Sequence, residues 1–289
     1  MASKTAHGLF LLTLIVLIAF AGNSVLARLA LAGGQIDPWS FTAIRLISGA
    51  AMLLILTGTR RSIRKGSAAG ALWLLVYALL FSLAYVELAA GTGALILFAG
   101  VQITMIGGGF LAGERMNMRQ VAGLALAICG LLVLMGPSLE RPSMSGAAMM
   151  TVAGIGWGLY SLKGRSSADA LGVTSGNFAR AAIVMGMILA GAAMAGLTPE
   201  PEMPGVIYAL ISGVVTSALG YALWYRVLKY LPAIQASVSQ LSVPVIAAAG
   251  GFIALSEPVT LGFAVSSLMV LSGLGLAALP ARSSRDISH

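Results

Sequence analysis

The chain has 289 residues, of which 58% are apolar and only 9% charged, with a mean hydropathy of +0.96 and a net charge of +8. A soluble domain carries about a quarter of its residues as charges, so this chain cannot cover a water-facing surface, and it is too apolar to stay disordered. A soluble enzyme and a disordered protein are therefore excluded. Cys129 is the only cysteine, and the two histidines, His7 and His289, stand at the ends, so neither a disulfide framework nor a histidine-based metal or proton site is expected.

Apolar runs separated by short polar or Gly/Pro stretches predict ten membrane helices, near 8–31, 38–58, 69–88, 92–112, 119–137, 145–163, 175–197, 205–227, 233–255 and 260–280. In the first, Ala19-Phe20-Ala21 has the form of a cleavage site, but the apolar run continues to residue 27, too long for a signal-peptide core. Asn23 and Ser24 are its polar residues. The second carries Arg45 about eight residues in, near mid-depth at the helical rise. In the third, Tyr77, Phe81 and Tyr85 form one stripe with Ser82 at its edge. The fourth has a single amide, Gln102, then a Gly-rich end and Glu114. Trp157, Tyr160 and Ser161 share a face of the sixth span. Arg180 lies near the start of the seventh, where its side chain can snorkel to the surface. Ser217, Tyr221 and Trp224 share a face of the eighth. In the ninth, Gln235, Ser239 and Ser242 make a polar stripe, Gln240 points elsewhere, and Pro244 is expected to kink the helix.

With the N-terminus inside, 13 of the 17 Lys and Arg fall in cytoplasmic segments, so both termini are expected in the cytoplasm. This explains the net charge as a device of orientation and removes nucleic acid as a partner. The halves also repeat. Ile128-Cys129-Gly130-Leu131 and Pro137 parallel Leu271-Ser272-Gly273-Leu274 and Pro280, and Glu114 parallels Glu257 at the same offset. Phe20, Ser24 and Arg28 parallel Trp157, Ser161 and Arg165, and Arg45 and Arg180 each sit in the second span of their half. Residues 1–140 and 141–289 are thus read as two five-helix units. Because five is odd, the second enters the membrane upside down. Such inverted repeats characterise secondary transporters that rock around a midplane site.

Several of these features resemble the EamA-type drug/metabolite transporter superfamily: two five-span halves, Phe41, Arg45 and Gly49 in the second span, Gly113-Glu114-Arg115 after the fourth, and Gly220-Tyr221-Ala222-Leu223-Trp224-Tyr225, Pro244 and Glu257 in the second half. The chain is most similar to the YddG-like branch of bacterial aromatic amino-acid exporters. The usual Pro of the fourth span is replaced here by residues around Val101-Gln102. The resemblance implies an inner-membrane carrier that exports amino acids and related metabolites without ATP.

The residues themselves suggest an amphipathic cavity lined by Tyr77, Trp157, Tyr85, Ser82, Tyr221, Trp224, Tyr160, Asn23, Gln102 and Gln240, where rings take apolar side chains and hydroxyls and amides hold polar ends. Interfacial aromatic belts and interhelix hydrogen bonds are the competing explanation. Arg45, Arg180, Pro244, Glu114 and Glu257 are read as gating or structural; a role for Arg45 in capturing a substrate carboxylate stays open. With Glu87, Glu114 and Glu257 all near span ends, no carboxylate stands at mid-depth, so a facilitator is expected, with Glu87 the one candidate for proton coupling. No cofactor or metal is expected, and no nucleophile with a base, so no enzyme. Organic anions, nucleotide sugars and proton-coupled drug export remain alternatives, as does a channel. The partners expected are small-molecule substrate and lipid; a monomer suffices, and a dimer is open.

Overall fold

A computed structural model describes residues 2–58, 64–111, 118–134, 142–165, 167–197, 200–227, 230 and 239–278. Among these there is no strand. Ten helices follow one another: α1 (Ala2–Ala32), α2 (Pro38–Thr57), α3 (Ala68–Glu87), α4 (Ala90–Leu111), α5 (Met118–Leu134), α6 (Met144–Arg165), α7 (Ala170–Met194), α8 (Met203–Val227), α9 (Val243–Leu255) and α10 (Leu261–Ala278). Six of them, α1 to α4, α7 and α8, are long and apolar enough to cross a membrane, while α5, α9 and α10 are apolar but shorter. Helix α6 has 22 residues but is the more polar, ending on Lys163, Gly164 and Arg165.

The ends are written locally. Asp37 caps α2 by accepting from the backbone N–H of Trp39 (2.9 Å) and Ser40 (3.0 Å), with Pro38 in the first turn where its missing N–H costs nothing. Ser67 caps α3 through Gly70 N–H, and Asp169 caps α7 through Gly172 N–H. Helix α9 closes on Ser256 in the left-handed region (φ 54°), with Ser256 N–H returning to Phe252 O and Glu257 N–H to Gly251 O. That turn places Glu257 over the start of α4.

The ninth span departs from expectation. Pro244 lies in the first turn of α9, after a turn at Leu241–Ser242, rather than inside a continuous helix. The helix is thus interrupted just before the proline instead of being kinked at it, because an N-terminal proline has no hydrogen bond to lose. Gln235 and Glu114 lie outside the described residues.

Helix α8 is not uniform. Its middle, Ser212–Leu219, is π-helical, flanked by the α-helical segments Met203–Ile211 and Gly220–Val227. Here the chain passes α2 at backbone distance: a Cβ on Gly213 would lie 2.5 Å from Arg45 O.

Helix α3 packs on α6, α6 also on α4, α2 on α7, α1 on α8 and α9, α4 on α9, and α5 on α10. Small residues carry these contacts. A Cβ on Gly154 of α6 would stand 2.6 Å from Leu97 O of α4, and one on Gly123 of α5 would stand 2.5 Å from Gly273 O of α10. Large apolar side chains such as Phe10, Ile55, Ile253 and Leu268 face outward on different helices. A surface this rich in apolar side chains is suited to lipid rather than water.

Candidate functional site

A cavity opens between α1, α3, α4, α6 and α8. Its wall is built from Phe20, Asn23, Ser24, Tyr77, Phe81, Leu97, Phe98, Trp157, Thr216, Tyr221 and Gln240. Only about 30 Å³ of it is open to the centre of a water molecule, room for a water or two. The cavity is therefore contracted, and the rings must part before anything larger enters.

The rings form a continuous set. Trp157 stacks on Tyr221 (centroids 5.1 Å, 30°) and on Tyr160 (5.3 Å, 26°), and lies 4.8 Å from Tyr77. Tyr77 continues to Phe81 (5.5 Å), and Phe20 meets Tyr221 edge-on at 5.8 Å. Glycines of α6 make this approach feasible: a Cβ on Gly156 would touch the backbone of α3 at Trp73 O and Tyr77 N, both 3.3 Å away. The polar side is a hydrogen-bond cluster. Asn23 Oδ1 accepts from Ser212 Oγ (2.6 Å) and Thr216 Oγ1 (3.2 Å), and Asn23 Nδ2 reaches Tyr77 Oη at 3.5 Å.

Behind Tyr77 and Phe81 lies Arg45, 1% exposed. Its Nη2 donates to Tyr77 Oη (3.0 Å) and its Nε to Ser217 Oγ (3.1 Å). The guanidinium carbon sits 5.2 Å from the Tyr77 ring centre and 5.0 Å from that of Phe81. Arg45 Nη1 has no hydrogen-bond partner among the described residues.

One end of the bundle is fastened by charge. Arg28 Nε and Glu257 Oε1 form an ion pair at 2.8 Å. Arg28 Nη1 also donates to Tyr85 O and Val86 O in the last turn of α3, and Glu257 Oε2 accepts from Ala90 N–H at the start of α4. Each charge thus complements a helix terminus of opposite partial charge, and α1, α3, α4 and the α9–α10 turn are tied together. Truncating both side chains in a double-mutant cycle, Arg28→Ala with Glu257→Ala, is expected to show a coupling of about 1 kcal/mol or more, because the pair is partly shielded and shared with backbone. Thermal unfolding in detergent reads it; strictly additive single-mutant effects would show that the two side chains act apart.

Elsewhere Lys65 pairs with Asp169, joining the loop before α3 to the cap of α7. Arg180 Nη1 donates to Gly176 O and crowds Gly66, while Ser67 N–H donates to Asn177 Oδ1. Arg180 therefore packs against this loop, away from the cavity. At another corner Glu87 accepts from Ser143 and Ser145 at the start of α6.

Of the ten residues read from the sequence as cavity lining, Tyr77, Trp157, Tyr221, Asn23 and Gln240 line the cavity together. The others do not. Tyr85 is fully buried against Gly93, its hydroxyl donating to Ala90 O (3.3 Å). Ser82 donates to Ala78 O and accepts from Thr42 Oγ1 between α2 and α3. Tyr160 backs Trp157 and donates to Thr174 Oγ1, which shares a hydrogen bond with Tyr225 Oη. Trp224 packs with Val16 and Val227 and meets Phe20 edge-on at 5.8 Å. Gln102 is buried in α4 but outside the wall, which takes Leu97 and Phe98 from that helix. Thr216 was missed because the stripe on α8 assumes an α-helix. The wider π-helical turn, with its i→i+5 hydrogen bonds, shifts the register: Thr216 and Tyr221 line the cavity, Ser217 meets Arg45, and Trp224 packs with Val16 and Val227.

A helical membrane bundle with a narrow aromatic and amide cavity is the build of a small-molecule carrier, and comparison with known proteins agrees. The EamA-like transporter family model matches residues 8–136 and again 144–279, so the chain belongs to the EamA-like transporter family. It is 46% identical to an uncharacterized Pseudomonas aeruginosa protein, over 93% of this chain and 94% of that one. It is 23% identical to the uncharacterized transporter YoaV of Bacillus subtilis (83% and 87% covered) and 28% identical to a probable amino-acid metabolite efflux pump of Escherichia coli (68% and 70% covered). A crystal structure with 18% identity shares the fold, with a TM-score of 0.60 over 91% of this chain and 96% of that one. The protein is a multi-pass membrane transporter rather than an enzyme.

Proposed function

We propose that this protein is a bacterial inner-membrane carrier that exports neutral amino acids, aromatic ones included, and related metabolites by alternating access. The observation that carries this reading is the cavity wall itself, which combines stacked rings with the polar side chains of Asn23, Ser24, Thr216 and Gln240. Rings accept an apolar side chain, and neutral donors and acceptors hold a small polar end. The name of the E. coli relative, a probable amino-acid metabolite efflux pump, supports export of metabolites of that kind.

Two inverted halves are the architecture we infer. The family model matches once in each half. The packing also repeats when each helix is exchanged for the one five places on: α3 on α6 corresponds to α8 on α1, α4 on α6 to α9 on α1, and α2–α7, α4–α9 and α5–α10 each map onto themselves. Rocking of one half against the other would expose the cavity to each side in turn. With the termini in the cytoplasm, the Arg28–Glu257 end faces outward and is the closed gate. No acidic side chain is buried among the described residues, which supports transport down the substrate's own gradient.

Purified protein in liposomes, given a panel of labelled amino acids with and without an imposed proton gradient, tests this. Saturable uptake unchanged by the gradient is expected. Acceleration by the gradient would overturn the facilitator and direct attention to Glu87. No uptake of any amino acid by folded protein would overturn the amino-acid reading in favour of organic anions or nucleotide sugars.

A further inference from the structure

We infer that Arg45 is the anion-binding pole of the cavity and that its substrates are recognised as carboxylates, with or without an α-amino group. This rests on the central cavity being the transport site, but it goes further, because it says which end of the substrate is read by charge.

Arg45 is buried and carries a full charge, with no acid beside it among the described residues. The two ion pairs among the described residues, Arg28–Glu257 and Lys65–Asp169, lie elsewhere. A buried charge is costly unless something compensates it. Here the compensation comes from neutral groups: the hydroxyls of Ser217, Tyr77 and Tyr221, and the ring faces of Tyr77 and Phe81. Donor capacity is left over at Nη1. The guanidinium thus has no counter-ion among the described residues, and it stands one ring's thickness behind the cavity wall, since both rings belong to that wall.

Among the described residues the wall contains no acid and no cation. An amine entering alone finds neutral acceptors and ring faces, set against the field of Arg45. A carboxylate supplies the counter-charge that Arg45 lacks among the described residues. Tyr77 Oη now occupies the place such an oxygen would take, accepting from Arg45 Nη2 and approached by Asn23 Nδ2. In this contracted state the phenol oxygen stands in for a carboxylate oxygen, and the substrate takes its place when Tyr77 swings aside. The π-helical stretch of α8 supports that movement. It brings Ser217 to Arg45 and Thr216 and Tyr221 to the cavity, and π-helical turns often mark functional sites.

The test compares three probes that share one ring: phenylalanine, phenylpropionate (no amine) and phenylethylamine (no carboxylate). Calorimetric titration into the purified full-length protein, its Arg45→Gln variant and its Arg45→Lys variant measures binding, and liposome uptake of labelled phenylalanine runs beside it. Phenylpropionate is expected to bind about as tightly as phenylalanine, and phenylethylamine about tenfold more weakly or worse. Arg45→Gln should weaken both carboxylates by about tenfold or more and leave the amine unchanged, with Arg45→Lys recovering part of the loss. Equal binding of phenylethylamine and phenylpropionate overturns the inference, as does unchanged carboxylate affinity in folded Arg45→Gln, or no binding of phenylpropionate. If Arg45→Gln does not fold, the wild-type panel still decides. Binding of phenylpropionate without phenylalanine uptake sinks the amino-acid reading and leaves the carboxylate pole standing. Uptake of phenylalanine inhibited equally by phenylethylamine does the reverse.

Discussion

Replacing Trp157 with Ala is expected to lower uptake of the transported substrate by about tenfold or more, while Trp157→Phe stays within a few-fold of the parent, since each aromatic pair contributes about 0.5–1.5 kcal/mol beyond its buried area. Trp157 is the shared wall of the cavity, in contact with Tyr77, Tyr160 and Tyr221 at centroid distances of 4.8, 5.3 and 5.1 Å. Without the indole, Tyr77 and Tyr221 lose the surface that holds them apart. They would close over the polar cluster at Asn23, and the site would lose both volume and shape. Phe keeps a ring of nearly the same reach. Initial rates against substrate concentration decide the matter. Uptake by Trp157→Ala with unchanged apparent affinity and maximal rate would place the substrate path elsewhere.

The largest effect on folding is expected at the contact of α5 and α10. Gly273→Leu should cost about 3 kcal/mol or more, at or beyond the upper range for overpacking, because the obstruction is backbone on the facing helix. A Cβ at Gly273 would stand 2.5 Å from Gly123 O and 2.6 Å from Ala127 N, neither of which can rotate away. The facing position is reciprocal, since a Cβ at Gly123 meets Gly273 O and Ala277 N. Gly186→Ala is the control: nothing lies within 4 Å of its Cβ, and the substitution removes a glycine from the interior of α7. Size-exclusion profiles in detergent and thermal melts compare the two. A monodisperse Gly273→Leu protein melting with the parent would show that α5 and α10 separate freely, contrary to their packing.

Much of the architecture was legible in the residues because lipid imposes long apolar helices, each of which satisfies its own backbone. Each of the ten apolar runs overlaps one of the ten described helices, the ninth only from Val243 on. The ring stripe of α3 and the Trp157–Tyr160 face of α6 are local patterns, and helical periodicity alone brought Tyr77 and Trp157 to the same wall. Composition likewise excluded soluble chemistry, since 9% charge cannot solvate 289 residues.

What local pattern could not decide depended on neighbours. Arg45 and Arg180 occupy comparable places in their halves. Yet Arg45 is shut between Tyr77, Phe81 and Ser217, whereas Arg180 packs beside Gly66 and Gly176. An α-helical wheel put Ser217, Tyr221 and Trp224 on one face, but close packing of Gly213 against α2 accompanies a π-helical stretch that rotates the register. The Arg28–Glu257 fastening joins residues 229 apart in the chain, a pairing that periodicity cannot register. The sequence by itself determined that this is a helical membrane protein and which helices bear rings. Only the tertiary structure decided which polar groups meet, because that depends on how closely glycine-lined helices approach one another.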